Sequence, residues 1–477
     1  MTVQSTSPTA MPSDDVVNVT RVRWWLGAAF FWLFAAMLAG LIYSSQYLRM
    51  YVFPGIEYLS PGRVRVTHTS GVAFGFLVTS TLGLMEYVIP KLTQRPVLNQ
   101  KVGWFAFFAW QAILVATVVG YLGFGQMQAI EWGETPVWID PIVMVALVIV
   151  TANNILGPIF QHATKSGKGL YVSLWYFIAA FVWTGVNYFV GNFFPEYWVP
   201  GSAGASLTSM YIHDLVGLYV TPVGWGLMYY LVPVVLKKPV FSHNVSLLGF
   251  WALAFLYPLN GAHHYLHSPI PMWVQAMSVL ASVGVHLVVY TVIYNFWQTL
   301  RQGGTDSYTK LPLRWFVAGA VSYLLTCMQC ALHVTFTVQE HVHFTDWVVG
   351  HAHFVMFGTF SFFVFGFTVY LWPRVCGRTT WHSETANHYA FWLMAVGNLT
   401  MWLVLMIAGL IQGQSWKGLE PFTKSVTSSA PYWLARTFTG IAIFVGFSLM
   451  FWNMIQTARS REEAEYDPRT IPSPSPA

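Results

Sequence analysis

Long apolar stretches, separated by short polar connections, run through almost the whole chain. About 20 apolar helical residues are needed to cross a bilayer core of about 30 Å. Stretches of that length recur about twelve times between charged or Pro/Gly-rich breaks. The pattern therefore predicts an all-α, polytopic membrane protein with about twelve transmembrane helices. The predicted spans are 24–47, 66–89, 102–123, 142–159, 170–190, 207–235, 246–265, 272–297, 316–337, 347–372, 389–411 and 437–455.

Composition and charge agree with this class of protein. Hydrophobic residues make up 55% of the 477 and charged residues only 9%, which leaves too little polar surface for a soluble protein of this length. Basic residues collect in alternate connections, which the positive-inside rule assigns to the cytoplasm together with both termini. The net charge of +5 is therefore a property of loops that face lipid headgroups and water. No nucleic-acid partner is expected.

The chain is predicted to form one domain. No internal repeat divides residues 21–458, which we assign to a single twelve-helix transmembrane catalytic domain. The polar residues 1–20 and the Glu- and Pro/Ser-rich residues 459–477 are expected to be disordered cytoplasmic tails. The three cysteines, Cys327, Cys330 and Cys376, are too few for a disulfide framework and are expected to serve packing.

Six histidines are predicted to lie at one depth of the membrane. If odd-numbered helices run outward, a rise of about 1.5 Å per residue places all six within about 10 Å of the outer surface. Ionisable side chains at membrane depth are costly and usually functional, and imidazole is a common ligand of haem iron and copper. The joint pattern favours metal sites over structural hydrogen bonds between helices. The six are His68, His213, His263, His264, His351 and His353.

The spacing of these histidines indicates which of them can share a metal. His351 and His353 project about 200° apart on a helix, so they can each bind a haem but cannot bind one metal together. His263 and His264 diverge by about 100° at a helix end and can converge on one ion, with His213 as third ligand. Three imidazoles leave an open position for a substrate.

Four motifs surround these histidines: RVRVTHTSGVAFGF around His68, YIHDLVGLYVTPVGWGLMYYLVP around His213, WALAFLYPLNGAHHYLHSPIP around His263, and HFTDWVVGHAHF around His351. Together with the twelve spans they resemble the catalytic subunit, subunit I, of the C-family or cbb-type haem-copper cytochrome c oxidases. The resemblance covers nearly the whole chain. It implies the subunit I fold and a terminal oxidase that reduces dioxygen to water with electrons from cytochrome c, coupled to proton uptake and proton pumping.

The resemblance also implies the cofactors, which are two haems b and one copper ion. His68 and His353 would bind the low-spin haem, and His351 would be the proximal ligand of the high-spin haem. The copper would be held by three ligands, His213, His263 and His264. Tyr257 matches the family's redox-active tyrosine, which becomes covalently joined to the copper ligand at His213. Six residues before His263, it would lie about 9 Å deeper on the same helix.

Further roles follow from the resemblance alone. Arg65 and His343 match positions near the haem propionates, where cations or donors suit carboxylates. A proton path from the cytoplasm would pass Tyr229 and Ser246 and end at Tyr257. A calcium ion also occurs near the propionates in this family, but the sequence does not identify its ligands.

Partners and location complete the expectation. The chain has no C-x-x-C-H motif for attaching a c-type haem. By resemblance, electrons would come from membrane-anchored c-type cytochrome subunits and cytochrome c. The protein would lie in the bilayer of the bacterial inner membrane, with its metal sites nearer the periplasmic side.

Two alternatives remain open on the sequence. Nitric oxide reductases share the fold and the histidines but use non-haem iron. They lack the tyrosine at 257 and carry a glutamate near the ligand histidine of the sixth helix, which in the cytochrome c-dependent group stands where this chain has Gly217. Oxygen reduction is therefore favoured, although Gln329 replaces a glutamate usual in the oxidases and Asp214 follows His213 where an uncharged residue is expected. The other alternative is a proton- or metal-coupled transporter, but the inverted repeat common in transporters is not evident.

Overall fold

Twelve helices long and apolar enough to cross a membrane make up the computed structural model, which describes residues 16–166 and 169–460. Within these residues the model contains no β-strand. In chain order the helices are α1 (Val19–Tyr47), α2 (Pro61–Thr93), α3 (Gln100–Phe124), α4 (Val137–Lys165), α5 (Val172–Tyr197), α6 (Gly201–Leu236), α7 (His243–Tyr265), α8 (Met272–Arg301), α9 (Leu311–His333), α10 (Asp346–Val375), α11 (Glu384–Lys417) and α12 (Phe422–Arg459). A short helix, Phe336–Val342, connects α9 to α10.

Three of the twelve helices form the centre of the bundle. In the most apolar window of α2, α6 and α10, respectively 89%, 94% and 89% of residues are buried, against 33–56% in the other nine. A helix that is apolar all round suits such a central position, because no face of it meets lipid or water. The central helices carry His68, His213, His351 and His353. The bundle therefore encloses the candidate ligands on its most buried elements.

Side-chain caps begin several helices. The side chain of Asn99 accepts hydrogen bonds from the first backbone N–H groups of α3, and Ser242 and Ser383 do the same for α7 and α11. Such caps satisfy donors that have no partner inside the helix. They begin α7 and α11 three to five residues before the predicted apolar spans.

Several helices extend well beyond the predicted spans. The largest difference is at α12, which begins at Phe422 although its apolar core was predicted to begin at 437. The added segment is rich in Ser and Thr, which an apolar-length criterion excludes but a helix accommodates. Val19 and Thr20, predicted to belong to a disordered tail, are the first residues of α1. The remainder of the two predicted tails lies almost entirely outside the described residues.

The central helices change winding beside their histidines. A π-helical segment follows His68 in α2 (Gly71–Val78), His213 in α6 (Leu215–Val220) and His353 in α10 (Met356–Ser361). Such wide turns occur often at functional sites. Similar segments also occur in α3, α4 and α5, so the winding supports a functional site here only together with the histidines.

Candidate metal centre

Three histidines from α6 and α7 form a compact cluster. Ligand nitrogens of His213, His263 and His264 all lie within 4.8 Å of one another. The ring centroids of His213 and His263 are 4.3 Å apart, and those of His263 and His264 are 4.8 Å apart. His213 Nδ1 and His264 Nε2 are 2.9 Å apart. Three imidazoles at this spacing suit a copper, iron or zinc ion.

The end of α7 explains how neighbouring histidines can converge. Regular α-helix ends at Leu256, and the chain continues in two 3₁₀ turns, Tyr257–Leu259 and Gly261–Tyr265. Pro258 has no N–H to continue the α-helical ladder, which is the physical reason for the change. The α-helical rise that placed Tyr257 about 9 Å deeper than His263 therefore does not apply to this segment.

Hydrogen bonds orient His263 and His264 from behind. His263 Nδ1 lies 2.8 Å from Ser282 Oγ, and the Ser282 hydroxyl donates to the carbonyl of Ser278 at 2.7 Å. The serine oxygen therefore accepts from His263 Nδ1–H, which leaves Nε2 free to bind a metal. His343 Nε2 donates to the backbone carbonyl of His264 at 3.0 Å. Ser282 was not predicted as a site residue, because its partner lies 19 residues away along the chain.

Tyr257 packs directly on the histidine cluster. Its ring centroid is 5.0 Å from that of His213, and the two planes differ by only 14°. Gly217, one helical turn after His213 in α6, lies against this tyrosine. A Cβ at Gly217 would lie less than 3.0 Å from three atoms of the Tyr257 ring. Real Cβ atoms essentially never make contacts that short. The position of the tyrosine therefore depends on glycine at 217.

A second pair of histidines faces each other between α2 and α10. The rings of His68 and His353 are 6.1 Å apart between centroids, with planes 20° apart. His68 Nδ1 donates to the carbonyl of Ala36 and His353 Nδ1 to that of Val349, both at 2.8 Å. Each ring therefore presents an unprotonated Nε2, which is the state that a haem-iron ligand requires.

His351 points away from this pair towards α9 and α11. Its Nδ1 donates to Gln329 Oε1 at 3.2 Å, and the same oxygen accepts from Trp402 Nε1 at 3.1 Å. Gln329 Nε2 lies 2.6 Å from Met406 Sδ. The amide thus fixes the ring of His351 with its Nε2 free. The sequence identified Gln329 only as a replacement for a glutamate usual in the oxidases, and its contact with His351 was not predicted.

The residues predicted for haem propionates lie at the end of the bundle where α10 begins. Arg65 is about half exposed, and its Nη1 is 4.0 Å from the carboxylate of Glu134. Burial raises the pKa of Glu134 to about 7. His343 stacks on the exposed ring of Phe344, with centroids 3.9 Å apart. Burial lowers the pKa of His343, which favours its neutral form.

The predicted proton path is buried but only partly connected by side chains. Tyr229 is 1% exposed, and its hydroxyl accepts a long hydrogen bond of 3.5 Å from Asn295 Nδ2 in α8. Asn295 was not predicted from the sequence as part of this path. The Ser246 hydroxyl donates to the carbonyl of His243 in its own helix. Asp214 is also buried, and neither of its carboxylate oxygens has a hydrogen-bond partner among the described residues.

The donor set fits both kinds of metal group that the sequence predicted. Among the described residues, each of the six histidines has one ring nitrogen within hydrogen-bond distance of an oxygen acceptor or of another ligand histidine. All six lie on the central helices or at the end of α7. A twelve-helix bundle with such a set is a membrane metalloprotein. The sequence matches the family described as "Cytochrome C and Quinol oxidase polypeptide I" over residues 20–442, and the chain belongs to this family.

Individual relatives are similar over nearly the whole chain. The cbb3-type cytochrome c oxidase subunit CcoN1 of Stutzerimonas stutzeri is 27% identical over 452 residues, covering 91% of this chain and 94% of the relative. A cytochrome c oxidase subunit 1 homolog of Agrobacterium tumefaciens is 26% identical, covering 93% and 84%. A heme-copper terminal oxidase dimer solved by cryo-electron microscopy shares the fold, with a TM-score of 0.78 at 15% identity over 95% of this chain and 86% of that chain.

These comparisons confirm the resemblance to haem-copper oxidase subunit I, the all-α membrane fold and the assignment as an oxidoreductase of respiratory electron transport. The family implies haem and copper as cofactors and association with other oxidase subunits. The transporter alternative is set aside, because a transporter would not belong to this family.

Proposed function

We propose that this chain reduces dioxygen to water at a centre made by a high-spin haem b and a copper ion. His351 would hold the haem iron, and His213, His263 and His264 would hold the copper. The observation that carries the proposal is the packing of Tyr257 on His213 over Gly217. A phenol beside a three-histidine site can donate both an electron and a proton, which oxygen reduction needs and a simple metal store does not.

A second haem b would be bound by His68 and His353. When bound, the haems and copper supply the electron storage and the oxygen-binding positions, which no amino-acid side chain provides. The chain supplies orientation and dry packing. Carbonyls of Ala36 and Val349 fix one pair of rings, and Ser282 fixes His263. These contacts keep each Nε2 deprotonated and aimed inward.

Proton delivery is proposed along α6, α7 and α8. Tyr229 and Ser246 are the residues first expected there, and Asn295 joins them because its amide reaches the Tyr229 hydroxyl. The buried Ser246 hydroxyl bonds its own backbone, so it needs to rotate or to meet a water molecule to pass a proton. Tyr257 is the end of this path. Proton pumping is proposed as part of the same coupling.

Nitric oxide reduction is the second candidate function. Asp214 favours it, because a buried carboxylate with two unpartnered oxygens beside His213 suits iron better than copper. Gly217 opposes it. The glutamate that nitric oxide reductases carry at that position could not coexist with the Tyr257 ring where it lies. Because this steric conflict would fall at the metal centre itself, oxygen reduction is preferred.

The setting of the chain follows from the same proposal. It would lie in a bacterial inner membrane as one catalytic domain, residues 21–458, with both termini cytoplasmic and the metal sites nearer the periplasm. Arg65 and His343 would face haem propionates. Membrane-anchored c-type cytochrome subunits would pass electrons from cytochrome c to the His68–His353 haem.

The decisive experiment measures metals and gas consumption on the purified complex. We expect one copper per two haems b in this chain and rapid oxygen uptake with reduced cytochrome c. Two haem irons plus a third, non-haem iron, with nitric oxide turnover and no copper, would overturn the proposal. The same metal analysis tests the calcium ion implied by the resemblance.

Replacing Gln329 tests how His351 is held. Gln329→Leu removes the acceptor shared by His351 and Trp402, so we expect high-spin haem binding or oxygen reduction to fall by about 10- to 100-fold, as for other partners of metal ligands. Gln329→Glu keeps an acceptor at the same place and should retain the haem. Haem content and oxygen uptake are the measurements. Wild-type values for the leucine variant would show that the amide does not orient His351.

A further inference from the structure

A seventh histidine lies beside the six candidate ligands. His333, the last residue of α9, is 8% exposed. Its ring centroid is 5.0 Å from that of His351, and the two ring planes differ by 63°. It also interacts electrostatically with His264 and His343. His333 therefore lies close to the ligand proposed for the high-spin haem iron and to a ligand proposed for the copper, although neither metal has been assigned to it.

Two hydrogen bonds join α9 to α10 around this residue. Gln329 and His333 are four residues apart and share one face of α9, and Trp347 and His351 share one face of α10 in the same way. His351 Nδ1 donates to Gln329 Oε1 at 3.2 Å. Trp347 Nε1 donates to His333 Nδ1 at the same distance, 3.2 Å. His333 thus lies one helical turn, about 6 Å, from Gln329 towards the end of the bundle where α10 begins. The residues predicted for the haem propionates lie at that same end.

The contact with Trp347 determines which nitrogen of His333 carries the proton. An indole N–H can only donate a hydrogen bond, so Nδ1 of His333 is the accepting, unprotonated nitrogen. The neutral imidazole then carries its proton on Nε2. Among the described residues, Nε2 of His333 has no hydrogen-bond partner. A buried N–H without an acceptor is costly, so the ring points to an acceptor that the protein itself does not provide.

We propose that His333 donates its Nε2–H to a carboxylate of the high-spin haem, with Trp347 fixing the tautomer. The inference rests on the proposed function, because it requires a haem bound by His351. The edges of haem b carry methyl, vinyl and carboxylate groups, of which only the carboxylates accept a strong hydrogen bond. The contact adds α9 to the elements expected to hold carboxylates through Arg65 and His343. A hydrogen bond to a haem carboxylate draws negative charge away from the haem and so stabilises its reduced, more negatively charged state.

The test combines a redox titration of the purified complex with resonance Raman spectra of the carboxylate bending modes of the haems. In His333→Leu we expect the midpoint potential of the high-spin haem to fall and its carboxylate mode to shift, while the low-spin haem is unchanged. His333→Gln keeps an amide oxygen for Trp347 Nε1 and an N–H donor for the carboxylate, so both quantities should stay near wild type. His286→Leu is the matched control, because the ring nitrogens of His286, in α8, lie near the backbone carbonyls of Val283 and Cys327. It should leave both haems unchanged.

The outcomes separate this inference from the proposed function. A wild-type complex without a high-spin haem b would overturn the proposed function itself. An unchanged carboxylate mode in His333→Leu, whatever the potential, would overturn only the role of His333. Equal shifts in His333→Gln and His333→Leu would also contradict that role, because the N–H donor would then not be what the haem requires. If His333→Leu does not assemble, His333→Phe, which keeps an aromatic ring beside His351, decides by the same two measurements.

Discussion

Replacing His263 by alanine should remove the copper and abolish oxygen reduction while both haems stay bound. His263 is 4% exposed, and its Nδ1 is held by Ser282, so its Nε2 has one fixed direction towards the cluster. Partners that only orient a metal ligand typically contribute 10- to 100-fold to affinity, so the loss of a ligand should exceed about 100-fold. Copper analysis, visible spectra and oxygen uptake on the purified complex measure the three effects.

Ser282→Ala is the matched control for this variant. It leaves the imidazole in place and removes only the acceptor behind it, so copper affinity should fall within the range of about 10- to 100-fold. Because the haems are assigned to other histidines, their spectra should match wild type in both variants. Full copper in His263→Ala, or loss of haem in place of copper, would contradict the assignment of the cluster.

The membrane fold was predictable because each transmembrane helix depends mainly on the apolar residues of its own stretch of sequence. About 20 apolar residues in a row have few alternatives to a membrane helix, so α1 to α12 were found from the sequence even where their ends were not. Helix ends depend on caps such as Ser242 and on polar turns beyond the bilayer. The early start of α12 at Phe422 is of this kind.

The ligand histidines were predictable for a related reason. Burying several ionisable groups at one depth is costly, so their joint presence already indicated a shared purpose. Their supporting contacts were not predictable from local patterns. Gln329 reaches His351 across 22 residues, and His68 bonds a carbonyl 32 residues earlier in the chain.

Tyr257 illustrates a different limit. The role of Tyr257 was predicted from the resemblance, but its depth in the membrane was predicted from the rise of a straight α-helix. Pro258 ends that helix, and the 3₁₀ turns that follow bring the tyrosine ring against His213 and Gly217. A local backbone change thus determined the geometry of the site, and spacing along the sequence could not show it.

Replacing Gly217 by alanine should disable the centre without touching any metal ligand. The new Cβ would overlap Cε1, Cζ and Cδ1 of the Tyr257 ring, which is rigid and cannot move aside as the tip of a flexible side chain could. Overpacking of this kind costs about 1–3 kcal/mol and displaces the tyrosine from His213. We expect oxygen reduction to be lost and the covalent link between Tyr257 and His213, implied by the resemblance, to be missing. Oxygen uptake and mass spectrometry of the linked peptides measure these effects.

Two further variants separate the steric cause from general damage to the helix. Gly27→Ala in α1 is the control, because a Cβ there meets nothing within 4 Å; it should keep full activity and gain about 0.4–1 kcal/mol from the more restricted unfolded chain. In Gly217→Ala/Tyr257→Ala the overlap is gone, so thermal stability should recover relative to Gly217→Ala, whereas oxygen reduction should not, because the tyrosine is absent. A Gly217→Ala protein with linked peptides and wild-type oxygen uptake would show that glycine is not what positions the tyrosine. Recovery of thermal stability in the double variant would show that the contact between residues 217 and 257, more than the winding of α6, determines the geometry of the centre.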